Sequence, residues 1–309
     1  MLEYLKIARP DHWLKNIFIV FGHVVVVALH PECWDHGDAV LPALVSLVPA
    51  CLIASANYIL NEILDAPFDR LHPTKRHRGI PAGRVEVKYL WVFMGVLIVA
   101  GFWMAARLFS NGYVLALGML LASGLVYNIP PVRLKDRAFM DVIAESFNNP
   151  IRLWLGWFAL SLGEWRWPPW TIVLAWWAFG ALLMTGKRYA EFRFINDPEV
   201  SGRYRKSFSV YTENSLIIAM ITYANLFCFG AGLAMASLPP LRGQVLVFPV
   251  ILFAIIAYFR HAMSETGARL EPEQLLRNPW LVLWTGVTAG LSLWLLTTQV
   301  PVERWLGLE

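Results

Sequence analysis

Apolar segments long enough to cross a lipid bilayer recur along the whole chain, separated by polar stretches. A transmembrane helix needs about 20 mainly apolar residues, and nothing here alternates like a membrane barrel. The pattern therefore predicts an all-α, polytopic membrane protein with nine transmembrane helices. The N-terminal amphipathic segment is expected to extend the first span. The predicted spans are 17–30, 40–60, 89–109, 113–129, 140–161, 168–186, 214–237, 244–260 and 279–298.

The composition supports this prediction and narrows the possible partners. Of the 309 residues, 57% are hydrophobic and 16% are charged, whereas a soluble domain carries about 25% charged residues. We therefore expect one transmembrane domain over 1–309, embedded in the bilayer and without a nucleic-acid partner. The three cysteines have neither metal-ligand nor disulfide-framework spacing. The sequence leaves open whether the protein is a monomer or a homo-oligomer.

Lysine and arginine are distributed unequally between the two sides that nine spans define. The N-terminal segment and the even-numbered connections hold 21 of the 26, the opposite side holds four, and Arg152 lies inside a span. Short cytoplasmic loops are enriched in these residues. We therefore expect the N-terminus and the long loops 61–88 and 187–212 on the cytoplasmic face of a bacterial inner membrane.

Polar residues at the end of the second span form the strongest candidate site. Asn61, Asp65 and Asp69 are spaced i, i+4, i+8, which places them on one face of a helix. Adjacent carboxylates repel each other, and a hard cation removes that cost. Mg²⁺ binds carboxylate oxygens together with substrate phosphates, so the spacing predicts a Mg²⁺-diphosphate site. The alternative is a solvated helix end, and Pro67 is expected to end the regular helix before Asp69.

A run of cations follows the carboxylates. Lys75, Arg76 and Arg78 lie six to nine residues after Asp69, and such cations can bind phosphate oxygens that a metal leaves free. The alternative is a topology signal at the anionic inner leaflet. Lys15 and Asn16 lie at the start of the first span. Lys15 is either a topology charge or a contact to the lipid phosphate.

The segment 61–69, "NEILDAPFD", resembles the first aspartate-rich motif of the UbiA-type prenyltransferases, N-D-x-x-D-x-x-x-D. The resemblance implies a bundle of nine helices around a central cavity with a cytoplasmic cap. It implies that Asn61, Asp65 and Asp69 bind Mg²⁺ and a diphosphate, and that Glu62, in place of the motif's first Asp, assists at the metal. The segment "YNIPPVRLK" is similar to another family feature, a tyrosine plus a lysine. Tyr127 and Lys135 would then contact phosphate, unless Lys135 is a topology charge.

The family's second acidic motif, D-x-x-x-D, is not matched after the sixth span. There the chain reads "KRYAE" (187–191), so we expect a basic wall of Lys187 and Arg188, with Glu191 on the next turn. This stretch, together with "RPDHWLKNIFIVFG", "DRLHPTKRHRGIPAG" and "YTENSL", is similar to one branch of the family, the decaprenyl-phosphate phosphoribosyltransferases.

That branch implies a reaction in which a polyprenyl phosphate attacks C1 of phosphoribosyl pyrophosphate and releases diphosphate. The donor's 5-phosphate needs cations of its own, which accounts for a basic second wall. A prenyltransferase acting on prenyl diphosphate and an aromatic or other acceptor is the first alternative. Such an enzyme would require a second acidic cluster. A transporter or a non-catalytic lipid-phosphate binder is the second, although no inverted repeat supports it.

The fifth span carries polar residues along one helical face, at Asp141, Glu145, Asn148 or Asn149, and Arg152. An arginine inside an apolar span needs a partner. Either these residues line the cavity, with Asn149 and Arg152 contacting ribose hydroxyls or phosphate, or Glu145 and Arg152 form an internal structural pair.

Overall fold

The computed structural model describes residues 2–33, 39–70, 75–160, 166–195, 206–264 and 278–298. Regular structure within these ranges is entirely helical, which confirms the predicted all-α class there. In chain order the α-helices are α1 (Leu2–Ala8), α2 (Phe18–Leu29), α3 (Val40–Val45), α4 (Leu47–Asp69), α5 (Val87–Leu108), α6 (Asn111–Asn128), α7 (Met140–Ser146), α8 (Asn148–Leu160), α9 (Trp170–Ile195), α10 (Glu213–Ser237), α11 (Phe248–Met263) and α12 (Pro279–Thr297). Short 3₁₀-helices occur at Pro10–Ile17, Pro31–Cys33, Lys75–His77, Leu134–Asp136, Lys206–Ser209 and Pro239–Val247.

The chain forms two compact units. The first unit comprises Met1–Lys135 and Phe147–Pro168, and the second comprises Asp136–Ser146 and Pro169–Glu309. Helices α1–α6 and α8 therefore belong to the first unit, and α7 and α9–α12 to the second. The single domain expected over 1–309 stays a prediction.

Six segments of the described chain are long and apolar enough to cross a membrane. They are Glu3–Leu29, Val40–Asp69, Val87–Leu108, Glu213–Ser237, Pro239–Met263 and Pro279–Thr297. The first joins the N-terminal segment to α2, as the amphipathic start of the chain predicted. The three other predicted spans correspond to α6, to α7 with α8, and to α9. Of these, α7 and α8 have only 7 and 13 residues, and α9 carries four charged residues near its end.

Helix α4 continues through Pro67 to Asp69, so the expectation that Pro67 ends the helix is wrong. A proline removes the hydrogen bond from its own nitrogen to the carbonyl four residues earlier. Here that carbonyl belongs to Ile63, but the helix continues past the proline, and the backbone nitrogen of Arg70 still bonds the carbonyl of Ala66. The motif residues 61–69 therefore all lie on one continuous helix.

The predicted fifth span is interrupted at Phe147, which separates α7 from α8. Pro150 lies at the third position of α8, and its ring is incompatible with a helical carbonyl at Ser146, four residues earlier. The segment from Asp141 to Arg152 is therefore not one continuous helix, and the polar face expected along it stays a prediction. The two ends of that segment belong to different units.

In the first unit, α2 and α8 approach each other at two glycines. A Cβ atom at Gly156 would lie 2.0 Å from the carbonyl oxygen of Ile19, and one at Gly22 would lie 2.2 Å from that of Leu153. Small residues allow such close backbone contact between membrane helices. A separate apolar cluster packs α1 against α4 and the loop before α5, and its buried members are Ile7, Ala8, Ile59, Ala66, Ile80, Val85 and Leu90.

In the second unit, α9 and α10 pack along most of their lengths, and α7 packs against α9. Tyr189, Phe208 and Tyr211 are buried in the apolar cluster that these helices share. Helix α10 begins with a capping box in which Thr212 and Ser215 each bond the other's backbone nitrogen. This cap fixes the chain directly after Tyr211.

Candidate active site

The last three turns of α4 carry the acidic residues of the candidate site. Asn61 and Asp65 are one turn apart and are both partly exposed. Glu62 and Asp69 are seven residues apart, two turns of the helix, and are both buried. Because α4 is unbroken, the four side chains form two neighbouring pairs on adjacent strips of one helix surface.

The ammonium group of Lys135 joins the first of these pairs. Its Nζ atom lies 2.6 Å from Asp65 Oδ1 and 2.9 Å from Asn61 Oδ1. A third oxygen, Oδ1 of Asn128 at the end of α6, accepts a bond of 2.9 Å from the same nitrogen. Asn128 is itself buried, and its amide donates to the carbonyl of Gly124. Lys135 therefore connects the end of α6 to the acidic face of α4.

Arg133 places a second cation on Asp65. One guanidinium nitrogen lies 3.0 Å from Asp65 Oδ1, and the guanidinium carbon lies 5.1 Å from the centre of the Phe68 ring. The backbone φ of Arg133 is 28°, in the left-handed region that side chains rarely adopt. Strained residues of this kind concentrate at functional sites.

Arg78 joins the second pair of acidic residues. A single guanidinium nitrogen lies 2.9 Å from Asp69 Oδ2 and 3.3 Å from Glu62 Oε2. Arg9 approaches the same Glu62 oxygen at 4.0 Å and lies over the ring of Tyr58. The two buried carboxylates therefore share a cation that comes from the loop after α4.

The cluster described so far contains more cations than carboxylates. Four cations (Arg9, Arg78, Arg133 and Lys135) surround three carboxylates (Glu62, Asp65 and Asp69) among the described residues. A divalent metal would add to that excess of positive charge. The electrostatics therefore favour a ligand with several negative charges, such as a diphosphate.

The chemistry of the donor set fits Mg²⁺ that is shared with a phosphorylated substrate. No group of three or more His, Cys, Asp or Glu residues converges on one point within the described part of the chain. Asn61 and Asp65 do converge on one cation, the Lys135 ammonium, and both present oxygen atoms. Mg²⁺ is commonly held by one or two carboxylates plus substrate phosphates and water, so Asp65 with Asn61 is a suitable protein contribution.

The other predicted residues of the first unit are arranged differently. Arg76 is exposed and contacts His77, and the side chain of Lys75 lies outside the described residues. Asn16 is buried, donates to Cys51 and accepts a 3.1 Å bond from Arg152. The guanidinium of Arg152 therefore has a polar partner within the first unit. The predicted residues Lys15, Tyr127 and Asn149 are partly buried.

Arg188 is the centre of the polar cluster in the second unit. Its guanidinium is almost fully buried and lies 2.9 Å from Asp141, 2.8 Å from Glu145 and 3.1 Å from Glu191. Asp141 also accepts bonds from the hydroxyls of Tyr211 and Ser207. Burial and the neighbouring carboxylate raise the pKa of Tyr211 above its usual range.

This cluster differs from the basic wall that the sequence predicted. Arg188 is surrounded by three carboxylates, so the described charges around it sum to an excess of negative charge. Lys187, the next residue, is partly buried on α9. Phosphate binding by Lys187, Arg188 and Glu191 stays a prediction.

Several residues of these clusters were not selected from the sequence. Arg133 and Arg9 were counted only with the loop charges, and Asn128 was not singled out. Asp141 and Glu145 were assigned to a face shared with Arg152. A weak signal existed for Arg133, which lies two residues before Lys135 in the segment that resembles the family's tyrosine-plus-lysine feature.

Comparison with known proteins identifies the class to which this fold and site belong. A model of the UbiA prenyltransferase family matches residues 17–282. The chain belongs to that family, and it is a multi-pass membrane transferase.

Two curated relatives are similar over most of this chain. The decaprenyl-phosphate phosphoribosyltransferase of Mycolicibacterium smegmatis is 31% identical, over 88% of this chain and 85% of the relative. The protein of the same name from Mycobacterium tuberculosis is 29% identical, over 88% of this chain and 86% of the relative.

A solved structure supports the fold. A UbiA homologue from Archaeoglobus fulgidus, bound to DMAPP and Mg²⁺, matches with a TM-score of 0.69 at 16% identity and covers 96% of this chain and 99% of that one. The predicted membrane fold of this family is therefore confirmed.

Proposed function

We propose that this protein transfers phosphoribose from phosphoribosyl pyrophosphate to a polyprenyl phosphate and releases diphosphate. An oxygen of the lipid phosphate forms the new bond to C1 of the ribose. The bond between C1 and the diphosphate oxygen breaks, and the diphosphate leaves with the electron pair. The lipid phosphate is already an anion at neutral pH, so the reaction needs no general base.

The observation that carries this proposal is the mixed charge of the cluster on α4. Asp65 is bonded by both Lys135 and Arg133, and Asp69 is bonded by Arg78. An acidic face interleaved with cations suits a metal-bound diphosphate whose remaining oxygens also need partners. The two mycobacterial relatives carry the name of this activity, and their likeness extends over most of the chain.

The chain's own residues act mainly by positioning and by electrostatic stabilisation. Asn61 and Asp65 would hold Mg²⁺, with Asp69 and Glu62 close by on α4. When bound, Mg²⁺ supplies positive charge that stabilises the departing diphosphate. Lys135, Arg133 and Arg78 bind phosphate oxygens of the donor and keep them aligned for displacement.

We further infer that the reaction takes place at the cytoplasmic side of a bacterial inner membrane. The loops that follow α4 and α6 contain the cations of the site, and the lysine and arginine distribution assigns these loops to the cytoplasm. Phosphoribosyl pyrophosphate is water-soluble and enters from that side, whereas the polyprenyl phosphate comes from the bilayer.

The test is transfer of radiolabelled phosphoribose to polyprenyl phosphate by the purified protein, with Mg²⁺ and with a chelator. We expect a lipid-soluble labelled product only with the metal, and the β-anomer because direct displacement inverts C1. Labelled prenyl diphosphate with an aromatic acceptor serves as the comparison. No phosphoribosyl product, together with prenyl transfer in the comparison reaction, would overturn the proposal.

One observation favours prenyl transfer as the second candidate. Asp141, Glu145 and Glu191 form an acidic cluster around Arg188, and a prenyltransferase of this family is expected to have two acidic clusters. The buried guanidinium already neutralises part of that charge, which makes a second metal site there less favourable. The same pair of labelled donors separates the two candidates.

A further inference from the structure

Lys135 contacts the same two side-chain oxygens that the proposed function assigns to the metal. Its ammonium has three N–H donors, and among the described contacts it bonds side-chain oxygens of Asp65 at 2.6 Å, Asn61 at 2.9 Å and Asn128 at 2.9 Å. The side chain is only 11% exposed. The ammonium is therefore held by oxygen acceptors from both α4 and α6.

A metal ion and this ammonium group compete for the same space. Mg²⁺ lies about 2.0–2.1 Å from its oxygen ligands. An ion bound to the same Oδ1 atoms of Asp65 and Asn61 would lie within about 5 Å of Nζ of Lys135, and two cations at that separation repel strongly. Binding the metal to these oxygens therefore requires Lys135 to move.

We propose that Lys135 is an exchangeable counter-cation that competes with free metal for Asn61 and Asp65. It leaves these oxygens when metal and diphosphate arrive together, and it then binds a phosphate oxygen. The second step rests on the proposed function, because it needs a diphosphate ligand. The competition with free metal does not.

The exchange gives the site a preference for the metal-diphosphate complex over the free ion. A free ion that displaces Lys135 leaves the ammonium without its two partners on α4. A metal-diphosphate complex supplies new anionic oxygens to the displaced ammonium, so the charges stay paired. Lys135 therefore lowers the affinity of the site for the free metal ion and raises its affinity for the metal-diphosphate complex.

The test is a titration of the full-length protein with Mn²⁺ alone, followed by electron paramagnetic resonance. Lys135→Met removes the charge and keeps the length of the side chain. We expect free Mn²⁺ to bind about tenfold tighter or more in this variant. Inorganic pyrophosphate should increase the Mn²⁺ affinity of the unmodified protein more than that of the variant. Lys88→Met is the matched control, because Lys88 is exposed and pairs with Glu86 outside the cluster.

Lys135→Met is expected to fold, because Asp65 keeps its 3.0 Å ion pair with Arg133. Asn128→Ala is a second variant, and it removes one oxygen acceptor of the ammonium. It should shift the Mn²⁺ affinity in the same direction by a smaller factor. An unchanged or weaker affinity for free Mn²⁺ in folded Lys135→Met would overturn the proposal. If Lys135→Met binds Mn²⁺ more tightly but the unmodified protein transfers no phosphoribose, the proposed function is wrong. The competition between Lys135 and free metal would still hold.

Discussion

Asp65 and Lys135 form a 2.6 Å ion pair that links α4 to the short 3₁₀-helix beyond α6 across 70 residues of sequence. Asp65 also accepts a bond from Arg133, so one carboxylate orients two cations of the same loop. Removal of this carboxylate would disturb both the acidic and the basic part of the candidate site.

The first prediction concerns Asp65→Asn. The amide keeps the shape of the side chain but loses the negative charge that holds Lys135, Arg133 and a metal. We expect phosphoribosyl transfer to fall by roughly 10²–10³-fold, the range found for loss of one preorganised electrostatic group. The measurement is the initial rate of labelled lipid formation at saturating Mg²⁺.

A matched control keeps this prediction specific. Glu86→Gln also removes one carboxylate from the first unit, but Glu86 is exposed and pairs only with Lys88 among the described residues. We expect its rate to stay within about twofold of the unmodified protein, as is typical of surface ion pairs. Equal rates for Asp65→Asn and Glu86→Gln would remove Asp65 from the site.

The second prediction concerns the cation that Asp69 and Glu62 share. Arg78→Met leaves two buried carboxylates with Arg9 at 4.0 Å from Glu62 as the remaining cation among the described contacts. We expect a loss of about 1–3 kcal/mol in the free energy of unfolding, because an uncompensated buried acceptor is costly. The measurement is thermal or denaturant unfolding in detergent.

The double variant Arg78→Met with Asp69→Asn tests the cause. Neutralising Asp69 removes the charge that lost its ion pair with Arg78, so the double variant should be more stable than Arg78→Met alone. Additive losses would mean that Arg78 stabilises the loop through contacts other than this ion pair.

The helical fold and the acidic motif could be predicted from the sequence because both depend on local spacing. The apolar runs that contain α4 and α5 are longer than any soluble core helix requires, and the i, i+4 spacing of Asn61 and Asp65 fixes a common face. The continuation of α4 through Pro67 to Asp69 could not be predicted, because a proline locally disfavours a helix, whereas the bond from Arg70 to Ala66 beyond it depends on the whole fold.

The partners of the site residues could not be predicted, because they are distant in sequence. Nothing near Asp65 indicates that its cations come from beyond α6, and nothing near Arg188 indicates that Asp141 and Glu145 on α7 join the neighbouring Glu191. The pairing of Glu145 with Arg152 was a reasonable hypothesis for one continuous helix. The structure breaks that helix at Phe147 and pairs Glu145 with Arg188, and the pairing of Glu145 with Arg152 stays a prediction.

The third prediction separates two adjacent residues on α9. Arg188→Met leaves Asp141, Glu145 and Glu191 without their common cation, and breaking a buried ion pair costs about 3–5 kcal/mol. We therefore expect Arg188→Met to reduce the yield of folded protein severely. Arg188→Lys should restore only part of it, because a single ammonium cannot reproduce the three directed bonds.

Lys187→Met is the comparison for this third prediction. Lys187 is partly exposed, so we expect near-normal folding together with a raised KM for phosphoribosyl pyrophosphate, of about tenfold for one lost phosphate contact. Size-exclusion profiles and donor titrations measure the two effects. A normal KM in well-folded Lys187→Met would remove the phosphate role of Lys187.

The fourth prediction concerns the glycine that lets α6 approach the polar face of α4. A Cβ atom at Gly124 would lie 2.2 Å from the side-chain amide of Asn57, which donates to the carbonyl of Leu120 and lies one turn before Asn61. Gly124→Ala should therefore displace Asn57 and lower the transfer rate by about tenfold or more, with a cost of about 1–3 kcal/mol in stability. Gly118→Ala is the control on the same helix, because a Cβ there has nothing within 4 Å. If both alanine variants transfer phosphoribose at the same rate, the contact between Asn57 and α6 has no part in shaping the site.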